Sequence, residues 1–238
     1  LLLLQILFPV AAGCLLFVLT RKGNQKVMIS YTIAVLIAET LLVCSNVFMQ
    51  ETVVECFNIT PAHPLLFCND GLSGLFSVLV SVVWLLVGIY SVQYLKETMK
   101  PVMFYGFYLI SLGVLQGLSL AGNLVTFYLF YEWMTLMTVP FVFYNRTKES
   151  IRAARKYLFY SVAGASFALA GIFLLAGNTE GLHFAGGALI ETANRTEVLL
   201  AAVLLLGCFS AALAEKYPEG TLYKGMTGHT AEVKDLQQ

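Results

Sequence analysis

Residues 71–94 read GLSGLFSVLVSVVWLLVGIYSVQY, a run without one charged side chain. As a helix rising 1.5 Å per residue it reaches roughly 36 Å, more than the ~30 Å hydrocarbon core of a bilayer. Backbone groups in lipid have no water to bond, so a segment of this kind is stable there only as a helix that satisfies its own amides. Working outward, apolar runs of similar length recur at 1–19, 27–48, 102–120, 123–144, 157–176 and 198–214. These spacings predict an all-α protein: a polytopic transmembrane bundle of about seven helices over residues 1–214, followed by a polar cytoplasmic tail at 215–238.

Composition agrees. Apolar residues make up 58% of the chain and charged residues 12%, whereas soluble domains carry about a quarter charged residues. A water-facing surface cannot be built from that ratio. The formal net charge is zero, so no global basic field points to nucleic acid and no acidic excess to a cationic partner. The opening stretch from Leu1 is apolar apart from Gln5 and has no basic start or small-residue cleavage site, so it reads as part of a transmembrane helix and not as a signal peptide. Among five cysteines, Cys14, Cys44 and Cys208 fall in apolar runs. Cys56 and Cys68 flank a polar loop and could pair if that loop faces an oxidising compartment.

The connections alternate in charge. Arg21, Lys22 and Lys26 mark the first, Lys96 and Lys100 the third, and Arg146, Lys148, Arg152, Arg155 and Lys156 the fifth. The second carries Glu51, Glu55 and Asp70, the fourth is only Ala121-Gly122, and the sixth carries Glu180, Glu191 and Glu197 against Arg195. Basic loops stay in the cytoplasm. The expected topology is therefore multi-pass in the cell's inner (cytoplasmic) membrane, with the amino end outside and the tail inside.

Charges at membrane depth cost a few kcal/mol or more and need a reason. Glu132 stands near the middle of the fifth span, either as a proton-carrying carboxylate or as a neutral acid bonded to a neighbouring helix. Lys156 opens the sixth span, where it can snorkel to water or, because a short loop makes helices five and six neighbours, share a proton with Glu132. Glu39 lies midway along the second span and raises the same question. Gln116 in the fourth reads as an interhelical hydrogen-bond partner. Pro140 would kink the fifth helix, and Ser161, Gly164, Ala165, Ala168 and Gly171 form a small-residue face that admits another helix closely.

The chain contains no glycine-rich phosphate loop, no GxSxG and no HExxH, and His63, His183 and His229 fall in loops or the tail. No self-contained enzyme active site, cofactor or metal is implied.

Three stretches resemble the antiporter-like, proton-translocating membrane subunits of respiratory complex I, of Mrp-type cation/proton antiporters and of membrane-bound hydrogenases. Asp70-Gly-Leu-Ser73 is similar to the aspartate-glycine opening of that family's third helix. Residues 123–132, NLVTFYLFYE, resemble its fifth helix, and Arg155-Lys156-Tyr157-Leu158, with Gly164 and Ser166, the start of its sixth. The resemblance implies a subunit of an NADH-quinone oxidoreductase-like or Mrp-like complex, partnered by other membrane subunits in the bilayer and carrying protons or Na⁺. It also implies that Glu132 and Lys156 titrate as a unit, the movement of one switching the other's proton affinity. From about Ser210 the chain departs from the pattern: Pro218 is followed by Glu219 and Gly220 instead of the family's histidine-tryptophan signature, and Leu213 stands five before it instead of lysine. The alternative is a truncated structural subunit that packs in such a complex without transporting. An unrelated small-solute carrier fits less well, since few polar groups lie at membrane depth.

Overall fold

The computed structural model describes residues 1–19, 25–48, 52–60, 63–94, 101–142, 144, 147–176, 184 and 195–213. They form α1 (Leu2–Leu19), α2 (Gln25–Val47), β1 (Thr52–Thr60), β2 (His63–Asn69), α3 (Gly71–Tyr94), α4 (Pro101–Ser119), α5 (Leu124–Val142), α6 (Lys148–Ala176) and α7 (Arg195–Leu213). Five helices, α2 to α6, are long and apolar enough to cross a membrane, and α1 contributes the shorter apolar run Leu2–Val18. The expected tail at 215–238, and with it most of the loop charges at 20–24, 95–100 and 177–194, lies outside the described residues.

The helices are inverted relative to those of a soluble protein. On α3, Leu75, Leu79 and Leu86 are exposed while Ser77 and Ser81 are each 1% exposed. On α2, Leu41 is exposed while Glu39 is 0% exposed. Leucine outside and serine inside is the pattern of a helix whose outer face meets hydrocarbon, where polar groups do better against protein than against lipid. This inversion and the span lengths make the chain a multi-pass membrane protein.

Helices α1 to α4 pack as one bundle, in which α1 lies along α4 and α2 against α3. Small residues allow the α1–α4 approach: a Cβ on Gly113 would stand 2.6 Å from the Ile6 carbonyl oxygen, and one on Gly13 would stand 2.7 Å from that of Gly106. A core of Ala12, Val35, Leu36, Tyr108, Leu109 and Leu112 fills the centre, with Trp84 stacked on Tyr108 at a centroid distance of 5.8 Å. Further along, α5 packs on α4, α6 on α5, and α7 on α6. Of the predicted small face of α6, Gly171 meets α7, where it abuts Leu205 and the Ala201 carbonyl.

Two features differ from the sequence reading. Instead of beginning at 157, α6 begins at Lys148. The intervening KESIRAARK is rich in strong helix formers, and Thr147 caps it by accepting the Ser150 amide at 3.1 Å. Lys156 therefore lies more than two turns inside the helix rather than at its head. The second loop is not irregular: β1 and β2 form an antiparallel hairpin, consistent with the β-branched run Thr52-Val-Val and with Ile59-Thr60. Its register sets Val53, not Cys56, opposite Cys68. Cys56 lies three residues from the position opposed to Cys68 and is out of disulfide reach of it, so the pairing considered for an oxidising compartment is not formed.

Candidate functional site

The hairpin is fastened to the helix ends by the motif residues. Asp70 caps α3: its Oδ1 accepts the Ser73 amide at 2.7 Å, and its own amide donates to Ser73 Oγ at 2.7 Å. This reciprocal arrangement is that of a capping box. Asn123 caps α5, with Oδ1 accepting the Thr126 amide at 2.7 Å while Nδ2 donates to the Pro64 carbonyl at 2.7 Å. Thr126 Oγ1 in turn accepts the Leu66 amide at 2.9 Å. Two of the stretches that resemble the antiporter-like family thus begin with helix caps that tie α3 and α5 to the hairpin.

Below the hairpin, a chain of buried side-chain amides crosses the α1–α4 bundle. Asn46 Nδ2 donates to Gln5 Oε1 at 2.7 Å, Gln5 Nε2 to Gln116 Oε1 at 2.9 Å, and Gln116 Nε2 to the Ser77 carbonyl at 3.2 Å. Asn69 Nδ2 joins it to the hairpin through the Asn46 carbonyl at 3.1 Å. The interhelical bonding expected of Gln116 is present and continues through Gln5 and Asn46, whose roles no sequence motif marked. Gln5, the lone polar residue of an apolar opening, was the available signal. Pro9, inside α1, also releases the Gln5 carbonyl from its intrahelical bond.

Glu132 is the ninth residue of α5, close to the helix midpoint. It is half-buried. The Tyr128 hydroxyl hydrogen-bonds its carboxyl group, and its Oε1 is buried without a hydrogen-bond partner. The Glu132 carbonyl accepts the Thr135 hydroxyl at 2.8 Å. Toward the end of the helix Pro140 leaves the Leu136 carbonyl without its ordinary donor.

Helices α5 and α6 are neighbours, as the short loop implied, and Thr138 Oγ1 shares a 2.7 Å hydrogen bond with the Tyr157 hydroxyl. That bond locates Lys156. Tyr157 faces α5, so the preceding residue is turned about 100° around α6. Lys156 is accordingly exposed, lining an open depression with Arg152, Arg155, Phe159 and Tyr160. Thr138 is six residues beyond Glu132, an axial offset of about 9 Å. The structure brings the two helices together but shows no hydrogen bond or ion pair between Glu132 and Lys156 among the described residues. Glu39 occupies a separate place in the α1–α4 bundle, completely buried, with neither carboxyl oxygen hydrogen-bonded.

The structure is thus a multi-pass bundle with a capped α3, a capped α5 and a mid-helix acid on α5, a fold of the antiporter-like kind. The comparisons with known proteins agree: the chain is related to the antiporter-like subunits of Mrp complexes and complex I, and residues 121–218 match the family described as NADH:quinone oxidoreductase/Mrp antiporter, transmembrane. It is 33% identical over 166 residues to the Na(+)/H(+) antiporter subunit A1 of Staphylococcus haemolyticus, covering 67% of this chain and 21% of that protein. The same subunit of Staphylococcus aureus strain JH9 is 34% identical over 133 residues, 55% of this chain and 17% of that protein. The chain thus spans about a fifth of the length of these curated relatives. Among solved structures, an archaeal membrane-bound sulfane sulfur reductase superposes with a TM-score of 0.72 at 20% identity, covering 87% of this chain and 43% of that one. Respiratory complex I from Thermus thermophilus gives 0.66 at 19%, covering 92% and 44%. The Mrp complex from Dietzia sp. DQ12-45-1b gives 0.67 at 21%, covering 86% and 40%. At these identities the structural likenesses establish the fold.

Proposed function

We propose that this chain works in proton, or cation/proton, translocation as part of a redox-linked NADH-quinone oxidoreductase-like or Mrp-like complex, among other membrane subunits. Glu132 is its membrane-embedded proton carrier. The observation that carries this reading is the placement of that carboxyl: mid-helix in a span, one oxygen buried and unpartnered, the group steered by Tyr128. An unpaired charge in such a place costs several kcal/mol, so the group has reason to exchange a proton as its surroundings change. Lys156, with Arg152 and Arg155, supplies the positive potential on the neighbouring helix. The basic end, with Lys148, Arg152 and Arg155, faces the cytoplasm of the inner membrane, and the hairpin faces outside.

The test is Glu132→Gln in the complex that contains this chain, reconstituted in vesicles with a pH-sensitive dye. Coupled proton movement is expected to fall; unchanged movement refutes the assignment. The second reading is a structural subunit that packs without transporting. It draws on the turn of Lys156 away from α5. Under it, Glu132→Gln and Lys156→Met both leave transport intact and alter only assembly.

A further inference from the structure

The Glu132 reading leaves unused the most deeply buried acid among the described residues. Glu39 is 0% exposed and both of its oxygens lack hydrogen-bond partners. It stands on the inner face of α2, in the series Thr32, Val35, Leu36, Glu39, Val43 and Asn46, all buried.

The facing surface of α3 can be located from its packing. Gly74 abuts Val47 and Gly88 abuts Leu36. Ser81 is midway between these glycines, seven residues from each, so it lies on the same stripe, opposite the middle of the interval from Leu36 to Val47. That level is within one turn of Glu39. Ser77, the adjoining member of the stripe, lies one turn closer to Asn46. Ser81 Oγ donates to the Val78 carbonyl at 3.0 Å and keeps its lone pairs. Ser77 Oγ is buried and has no partner, while the Ser77 carbonyl accepts from Gln116. Polar groups therefore continue from the level of Glu39, past Ser81 and Ser77, to the amide chain of Gln116, Gln5 and Asn46, and through Asn69 to the hairpin. On α2 itself Glu39 and Asn46 are seven residues apart, about 10 Å along the axis.

The groups facing Glu39 include no cation among the described residues. On α1 the sole ionisable side chain is Cys14, which is exposed. On α3 the tyrosine Tyr90 is exposed. From α4 comes the Tyr108 phenol, which donates to the Trp84 carbonyl at 2.6 Å. Lys26 and Tyr31, on α2, lie at least two turns away toward its other end. Without a counter-ion, a bare carboxylate here bears the full desolvation cost, whereas a protonated acid can donate to a serine oxygen.

We propose that Glu39 is a second proton-binding site, separate from Glu132, that exchanges its proton with water admitted from the hairpin face along the side of the bundle marked by Ser81, Ser77 and the Gln116–Gln5–Asn46 amides. The exchange is a simple protonation: water at the hairpin end supplies or accepts the proton, and the carboxyl alternates between acid and carboxylate. It stands independently of the Glu132 assignment.

The full chain in phosphatidylcholine vesicles, perfused alternately with acid and alkaline buffer, gives infrared difference spectra in which protonated carboxyl groups have their own carbonyl stretch. Glu39→Gln is expected to remove one such component that Glu132→Gln retains, and Ser81→Ala to shift its frequency. A Glu39→Gln spectrum superimposable on the native one overturns the proposal. So does a component that responds to Na⁺ at constant pH and not to pH. If Glu39→Gln does not fold, Glu39→Asp answers in the same assay: a displaced component supports the site and an unmoved one overturns it.

Discussion

Replacing Gln116 with methionine, which keeps length and removes the amide, tests whether the buried amides act as a network. The substitution strands Gln5 Nε2, whose acceptor at 2.9 Å is Gln116 Oε1. The Ser77 carbonyl loses its 3.2 Å donor but keeps its place in the α3 ladder, so this second loss is small. A stranded buried donor costs about 1–3 kcal/mol, while an intact interhelical bond in a membrane protein averages only ~0.6 kcal/mol. The stranding therefore decides the outcome, and Gln116→Met should destabilise the bundle by about 2 kcal/mol. Gln5→Met strands both Gln116 Oε1 and Asn46 Nδ2 and should cost about 3 kcal/mol. In the double variant only Asn46 Nδ2 remains stranded, at about 2 kcal/mol, so its cost should fall short of the summed singles by roughly 3 kcal/mol. Equilibrium denaturation of the detergent-solubilised chain, followed by Trp84 fluorescence in a Trp133→Phe background, reads these differences. Trp84 stacks on Tyr108 within the same bundle and reports its opening. Singles that add to within about 0.3 kcal/mol would show independent contacts and refute the network.

Other outcomes follow from the same geometry. Gly113→Val pushes a Cβ against the Ile6 carbonyl and should cost about 1–3 kcal/mol in the same denaturation assay, with α1 detaching first in proteolysis. Asn123→Ala removes both the α5 cap and the clasp on Pro64, a loss of about 1–2 kcal/mol, visible as faster hydrogen exchange of the Thr126 and Phe127 amides. Val53→Cys should crosslink to Cys68 under mild oxidation, because the two positions are directly opposed; the native pair Cys56 and Cys68 should stay reduced in the same treatment. A Cys56–Cys68 crosslink with no crosslink from Val53→Cys would show that the register is wrong.

Much of the architecture was legible from residues alone, since each span must satisfy its own backbone and so advertises itself as an uninterrupted apolar run. Residues 71–94 needed no neighbour to be read as a membrane helix. The neighbour relation of α5 and α6 followed from loop length, and the small face of α6 from side-chain size. The hairpin was missed because nine residues with mixed polar and β-branched side chains look like a loop until a partner strand is present; pairing is a non-local property. The start of α6 was misplaced for a related reason. A basic segment reads as a loop by hydropathy, although its helix propensity and the Thr147 cap favour continuation of the helix.

What the sequence determined by itself was the solvent: too few charges to face water, enough length per run to cross lipid, and a family pattern around Asp70, Asn123 and Glu132. Only the tertiary structure decided which polar groups meet. Azimuth on a helix changes by about 100° per residue, so a one-residue difference sends Tyr157 to Thr138 and Lys156 outward, and no pattern of types along the chain specifies that rotation. The same packing buries Glu39 completely on the inner face of α2, a face that no single span displays.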